Sequence, residues 1–152
     1  MSTTTRLCRC EPEDVFAVLA DGWSYASWVV GAARIRDVSP DWPSPGATIH
    51  HSVGAWPLLL HDCTVVRSAD APTRLELEVR AWPSGQGVVT VSCERVADGT
   101  RVTMVEDATQ GPASLVPKVL RDPVLDWRNT ETLRRLATMA EHRARSTSGP
   151  TA

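Results

Sequence analysis

A chain of 152 residues, 42% hydrophobic and 22% charged, has the make-up of one ordinary globular domain. Its net charge of −2 leaves no basic footprint for nucleic acid or for an anionic membrane surface, so no nucleic-acid partner is expected. Residues 1–6 lack the apolar core of a signal peptide and no apolar run approaches membrane-spanning length, which predicts a cytoplasmic protein without membrane insertion.

Residues 3–10 alternate loosely and read as a first strand. Pro12 suits the first helical position, Glu13 and Asp14 favour the positive first turn, and Val15, Phe16, Val18 and Leu19 supply an apolar side. Asp21-Gly22 breaks that helix, and 23–28 reads as a second, shorter one. Strands follow near 32–38, 46–53, 57–68, 73–82, 86–96 and 100–109, punctuated by Pro40, Pro43, Pro45, Gly54, Asp70-Ala71-Pro72 and Pro83-Ser84-Gly85. Asp98-Gly99 is a tight hairpin signal. Leu75, Leu77, Val79 and Ala81 alternate strictly with Glu76, Glu78 and Arg80, so one face of that strand meets a core and the other water. Val102, Met104 and Glu106 share a face of the last strand, which puts an acid in line with two core residues.

After a loop over 110–121, Asp122 is placed to cap a long helix over 123–143 with Pro123 at its first position. Leu125, Leu133, Leu136 and Ala140 form one stripe, and Asn129 falls at its centre. The result is one domain over 1–145 and a disordered tail over 146–152. The class is α+β: a curved antiparallel sheet of about seven strands wrapped round a long C-terminal helix, with two short helices after the first strand. Such a sheet leaves a cavity beneath the helix, which points to small-molecule binding.

Cys8, Cys10, Cys63 and Cys93 lack the paired spacing of a zinc site and read as reduced, small apolar residues. Six tryptophans stand against one tyrosine and one phenylalanine. An indole combines a broad apolar face with one N–H donor, so it serves core and cavity wall alike.

The element order, together with several local segments, resembles the helix-grip superfamily, also called SRPBCC or START-like, and within it the bacterial polyketide cyclase/dehydrase-like group. The segments are Asp14-Val15-Phe16-Ala17-Val18-Leu19-Ala20-Asp21, Trp42-Pro43 with Gly46, and His50-His51-Ser52-Val53-Gly54 leading to Trp56-Pro57. Glu106-Asp107 with Gly111-Pro112, and Arg128-Asn129 with Leu133 and Leu136, complete the set. The resemblance spans nearly the whole chain. It implies binding of lipids, sterols, polyketides or plant hormones, with cyclisation or dehydration in the same cavity in some members. It carries over no catalytic residue, because no single catalytic motif is shared across the group.

The residues themselves supply the candidates. His50 and His51 are adjacent on a strand and point to opposite faces, and alternation with Ile49 and Val53 turns His51 inward. His51 is either a core histidine bonded to a neighbour or a general acid or base near neutral pH. Glu106, on an apolar face, must be protonated, paired or wet. It is either half of a structural ion pair, with Arg128 as the available partner, or a site acid or base. Asn129 either tethers the helix to the sheet or orients a ligand oxygen. On the strand near 57–68, Asp62 goes with Leu60 and Thr64 and His61 with Leu59 and Cys63; either face is apolar enough to be the inner one, and the reading takes Asp62 inward. Trp28, Trp56 and Trp82 either line a pocket or fill the core. Glu106 and His51 are thus the candidate catalytic residues, and Asn129, Arg128, Asp62, Trp28, Trp56 and Trp82 the candidate ligand contacts. No metal set, phosphate loop, nucleophile elbow or cofactor motif is present.

Three functions compete: a carrier or sensor for an apolar small molecule, a metal-free acid–base cyclase or dehydratase, and a cochaperone-like interaction module. The absence of an extended charged face or exposed apolar stripe speaks against the third. The expected partner is a hydrophobic small molecule, polyketide-, lipid- or aromatic-like, and the expected state a monomer or homodimer. Glu106, His51 and Asn129 in mutual reach would favour the enzyme, and a purely apolar cavity the carrier.

Overall fold

The computed structural model describes residues 1–54, 57, 59–81, 85–110 and 117–149. Strand β1 (Ser2–Cys8) leads into helix α1 (Pro12–Leu19), a 3-10 turn (Gly22–Ser24) and the one-turn helix α2 (Tyr25–Trp28). Six strands then follow, with no helix between them among the described residues. They are β2 (Ala32–Val38), β3 (Thr48–Val53), β4 (Leu60–Asp70), β5 (Arg74–Ala81), β6 (Gly85–Val96) and β7 (Gly99–Gln110). The long helix α3 (Lys118–Thr147) closes the order.

Local chemistry accounts for these elements. Pro12 opens α1, and the Asp14 carboxylate accepts from the Glu11 N–H at 3.1 Å, meeting one of the donors a helix start leaves free. Asp21 does the same for the 3-10 turn by accepting from the Trp23 N–H at 3.1 Å. The β6–β7 hairpin turns through Ala97 and Asp98, with Val96 paired to Gly99, so the turn lies one residue earlier than Asp98-Gly99 suggests. Gly99 is needed there: its φ is +138°, and a Cβ would lie 2.1 Å from the Cys8 carbonyl oxygen.

Among the described residues the strands form one antiparallel sheet in the order β1-β7-β6-β5-β4-β3-β2. It is a meander in which the first strand returns to pair with the last. Register shifts interrupt the ladders, with the extra residue on β2, β4 and β7, and such bulges bend a sheet. The sheet curves round α3 as the helix-grip reading requires.

Helix α3 begins five residues before the expected Pro123, and Asp122 and Pro123 fall inside it. The break is Pro117, and Lys118-Val119-Leu120-Arg121 are tolerant or strong helix formers that continue into Pro123. The helix also runs to Thr147, taking in the first two residues of the stretch expected to be disordered. Its main neighbours are β1, β7, α1 and α2. Leu133, Leu136, Ala137 and Ala140 are buried there, in one core cluster with Val15, Leu19, Val91, Val102 and others. On β5, Leu75 and Leu77 are buried, whereas Glu76 and Glu78 face outward and pair with Arg67, Arg74 and Arg80. The four cysteines are free, three of them buried and Cys63 half-buried.

Candidate functional site

The core half of α3 gives way toward its N-terminal end to a half that faces open space. Leu125, Arg128, Asn129 and Thr132 from this half help line a cavity of about 370 Å³ between helix and sheet. Tyr25 and Trp28 of α2 form one wall, and Leu77, Val79, Val89 and Met104 supply the apolar face of the sheet. The switch follows from the helix period. Asn129, Leu133 and Leu136 share one stripe, so the element that fills the core with leucines presents an amide and a hydroxyl a turn earlier.

Glu106 continues the inward face of Val102 and Met104 on β7, as its alternation implies. Both its carboxylate oxygens accept from the Arg128 guanidinium, and its side chain is 16% exposed against 37% for Arg128. The wall therefore carries a matched ion pair rather than a lone acid. Nearby, the Ser2 hydroxyl donates to Asp126 at 2.5 Å, tying β1 to the helix.

Asn129 and Trp28 are each 2% exposed. The Asn129 Nδ2 and the Trp28 Nε1 are buried and, among the described residues, have no hydrogen-bond partner. Trp28 packs edge-on against Tyr25 with ring centroids 5.2 Å apart. Thr132 accepts from the Val30 N–H at 3.2 Å, joining α3 to the segment after α2.

His51 and Asp62 are both inward and are directly paired across β3 and β4. Neither lines the cavity. His51 lies a layer behind, its ring stacked on Tyr25 at 5.5 Å and its Nε2 3.0 Å from the Thr64 hydroxyl. Thr64 Oγ1 is in turn 3.1 Å from the Tyr25 hydroxyl, which completes a buried Tyr25–Thr64–His51 chain. The Nδ1 of His51 has no partner among the described residues. Burial lowers the His51 pKa, with the Asp62 carboxylate opposing, and burial pushes the Tyr25 phenol up to about 12. Both rings are thus neutral near pH 7.

The expected cluster of Glu106, His51 and Asn129 is therefore divided. Glu106 and Asn129 meet at the cavity with Arg128 and Trp28, while His51 and Asp62 stand behind Tyr25. Strand order is the reason: β3 and β7 are four strands apart, about 19 Å along the sheet at roughly 4.8 Å per step. Tyr25 and Thr64 were not singled out from the sequence. Tyr25 is the chain's sole tyrosine, and Thr64 alternates with Asp62 on β4; these were the available signals. Trp56 and Trp82 lie outside the described residues.

Among the described residues no group of His, Cys, Asp and Glu is arranged to hold a metal ion, and no helix is long and apolar enough to cross a membrane. A separate surface depression near the β6–β7 hairpin, between Arg9, Glu11 and Asp98, contains none of the candidate site residues.

Comparison with solved structures shows the same architecture. A protein from Rhodobacter sphaeroides matches with a TM-score of 0.70 at 21% identity, over 90% of this chain and 89% of that one. Ara h 8.0201 matches with a TM-score of 0.68 at 12% identity, over 91% and 95%. The di-domain ARO/CYC StfQ from the steffimycin biosynthetic pathway matches with a TM-score of 0.67 at 12% identity, over 97% of this chain and 51% of that one. These likenesses establish the fold. No curated protein matches by sequence. The family model for polyketide cyclase/dehydrase and lipid transport matches residues 2–141, and the chain belongs to that family.

Proposed function

We propose that this chain binds an apolar small molecule, polyketide-, lipid- or aromatic-like, in the cavity between the sheet and α3. The observation that carries the reading is the cavity itself. Its wall is mainly aliphatic and aromatic, it is bounded by Tyr25 and Trp28, and the Glu106 carboxylate, the one carboxylate among the described lining residues, is matched to Arg128. The family's description, covering cyclases, dehydrases and lipid transport, supports a hydrophobic ligand. On this reading the chain is a carrier or sensor, and the Glu106–Arg128 pair holds the wall together.

The Tyr25–Thr64–His51 chain favours a second reading, metal-free acid–base chemistry of the cyclase or dehydratase kind. There a proton leaving the substrate passes through Tyr25 and Thr64 to Nε2 of His51, where Asp62 favours the resulting imidazolium. Glu106 serves as the acid or base of the opposite wall. The likeness to an ARO/CYC protein is compatible with this, and the matched state of Glu106 ranks it second.

Titration with N-phenyl-1-naphthylamine, read by tryptophan quenching and probe emission, tests the binding reading. Saturable one-site binding at micromolar probe is expected. Met104→Trp, which fills the space, should abolish it while the far-ultraviolet spectrum stays unchanged. Failure of the probe to saturate, or equal binding by the filled variant, would overturn the proposal.

A further inference from the structure

The polar groups of the cavity wall divide unevenly between donors and acceptors. Glu106 accepts from Arg128 through both oxygens, the Tyr25 hydroxyl is engaged by Thr64, and the Thr132 hydroxyl accepts from the Val30 N–H. Of the wall's fully buried side-chain nitrogens and oxygens, those without a partner among the described residues are the Trp28 Nε1 and the Asn129 Nδ2. An indole nitrogen can only donate, and an amide nitrogen likewise donates. The two residues come from α2 and α3, which pack on one another, and both line the same cavity. A buried donor without an acceptor bears the full loss of its hydration, so such groups in native proteins call for a specific explanation.

Resting on the binding reading above, we infer that the cavity's ligand is a neutral molecule that presents a hydrogen-bond-accepting oxygen, such as a ketone or ester carbonyl, to Trp28 and Asn129. The carbonyl supplies the acceptor that both donors lack. The ligand is neutral because the cationic Arg128 is already matched by Glu106, so a ligand carboxylate would enter a wall whose charges are balanced. The rest of the molecule meets Leu77, Val89 and Met104 and is apolar. Trp28 and Asn129 thereby set specificity for one end of the ligand and leave the other to shape.

Three probes with one naphthalene body separate the terms: 2-acetylnaphthalene, 2-ethylnaphthalene and 2-naphthoate. Calorimetric titration gives each affinity. The indole N–H resonance of Trp28, assigned by its disappearance in Trp28→Phe, reports contact in the unmodified protein. The ketone is expected to bind about tenfold tighter than the hydrocarbon, the ratio of one good buried hydrogen bond. The Trp28 N–H proton is expected to move downfield with the ketone and stay in place with the hydrocarbon, and Asn129→Leu should narrow the gap in affinity. Equal binding of ketone and hydrocarbon with an unmoved Trp28 resonance would overturn the inference and leave the cavity reading standing. Naphthoate binding tighter than the ketone would overturn the neutral class. If none of the three binds, the cavity reading fails and the inference with it.

Discussion

Leu136 and Leu125 lie on the same helix and differ in what faces them, so truncating each tests whether α3 is divided into a core half and a cavity half. Leu136 is 0% exposed within the core cluster, whereas Leu125 is half-buried and faces the cavity. Leu→Ala removes three carbons, worth about 2.4 kcal/mol in transfer at roughly 0.8 kcal/mol each. At Leu136 the surroundings are close-packed, so the space left behind adds a further cost and the total should fall at about 3–4 kcal/mol, within the usual range. At Leu125 the deletion only enlarges existing open space, and the expected loss is about 1 kcal/mol. Urea unfolding followed by far-ultraviolet circular dichroism reads both. With a slope near 2 kcal/mol/M, Leu136→Ala shifts the midpoint by about 1.5–2 M and Leu125→Ala by about 0.5 M. The naphthylamine affinity should move in the opposite order, weakened by Leu125→Ala and unchanged by Leu136→Ala while the protein is folded. Equal losses of stability, or a shift of less than about 0.5 M for Leu136→Ala, would refute the division.

Thr64→Val should cost about 1–3 kcal/mol, because the Tyr25 hydroxyl and the His51 Nε2 both lose their partner, and Thr64→Ser should restore most of it. Burial lowers the His51 pKa below its unfolded value of about 6.5, so the unfolded chain binds that proton first. Stability should then fall as pH drops below about 6.5, by at most about 1.4 kcal/mol per unit from this group, and His51→Gln should flatten that part of the profile in urea midpoints at pH 7.5 and 5.5. Burial pushes the Cys8 thiol up to about 11 and those of Cys10 and Cys93 up to about 12. Ellman's reagent at pH 8 should therefore titrate Cys63 alone in the native protein, and four equally fast thiols would contradict the burial described for the other three.

The fold was legible because its signals are local and repeated. The alternation of Leu75, Leu77 and Val79 with charged residues, and the spacing of Leu133, Leu136 and Ala140, each name a buried face without reference to any other element. Single polar residues in those patterns, Glu106 and Asn129, were legible for the same reason: an apolar stripe makes an interruption visible. Adjacency across the sheet was harder to read. His51 and Glu106 both point inward, but their separation depends on how many strands lie between them, a property of the assembled sheet. Tyr25 escaped notice because a one-turn helix offers too few residues for a period, and its importance comes from Thr64, Trp28 and His51 around it. Helix α3 starts earlier than its sequence signals imply because Pro123 is a strong N-terminal signal, whereas Pro117, the residue that sets the break, sits among the turn formers of the 110–121 loop.

The pairing of β1 with β7 has a consequence for synthesis. Thr5 and Thr103 face one another across that ladder although they are 98 positions apart. At about 5–20 residues per second, β1 waits roughly 5–20 s on the ribosome before its strand partner exists. Its composition suits the wait. Thr3, Thr4, Thr5 and Arg6 make a strand that water tolerates, with Cys8 as its deeply buried apolar anchor. A variant that made this segment uniformly apolar would keep the backbone ladder with β7 and still endanger the nascent chain, because it would expose a sticky edge during those seconds.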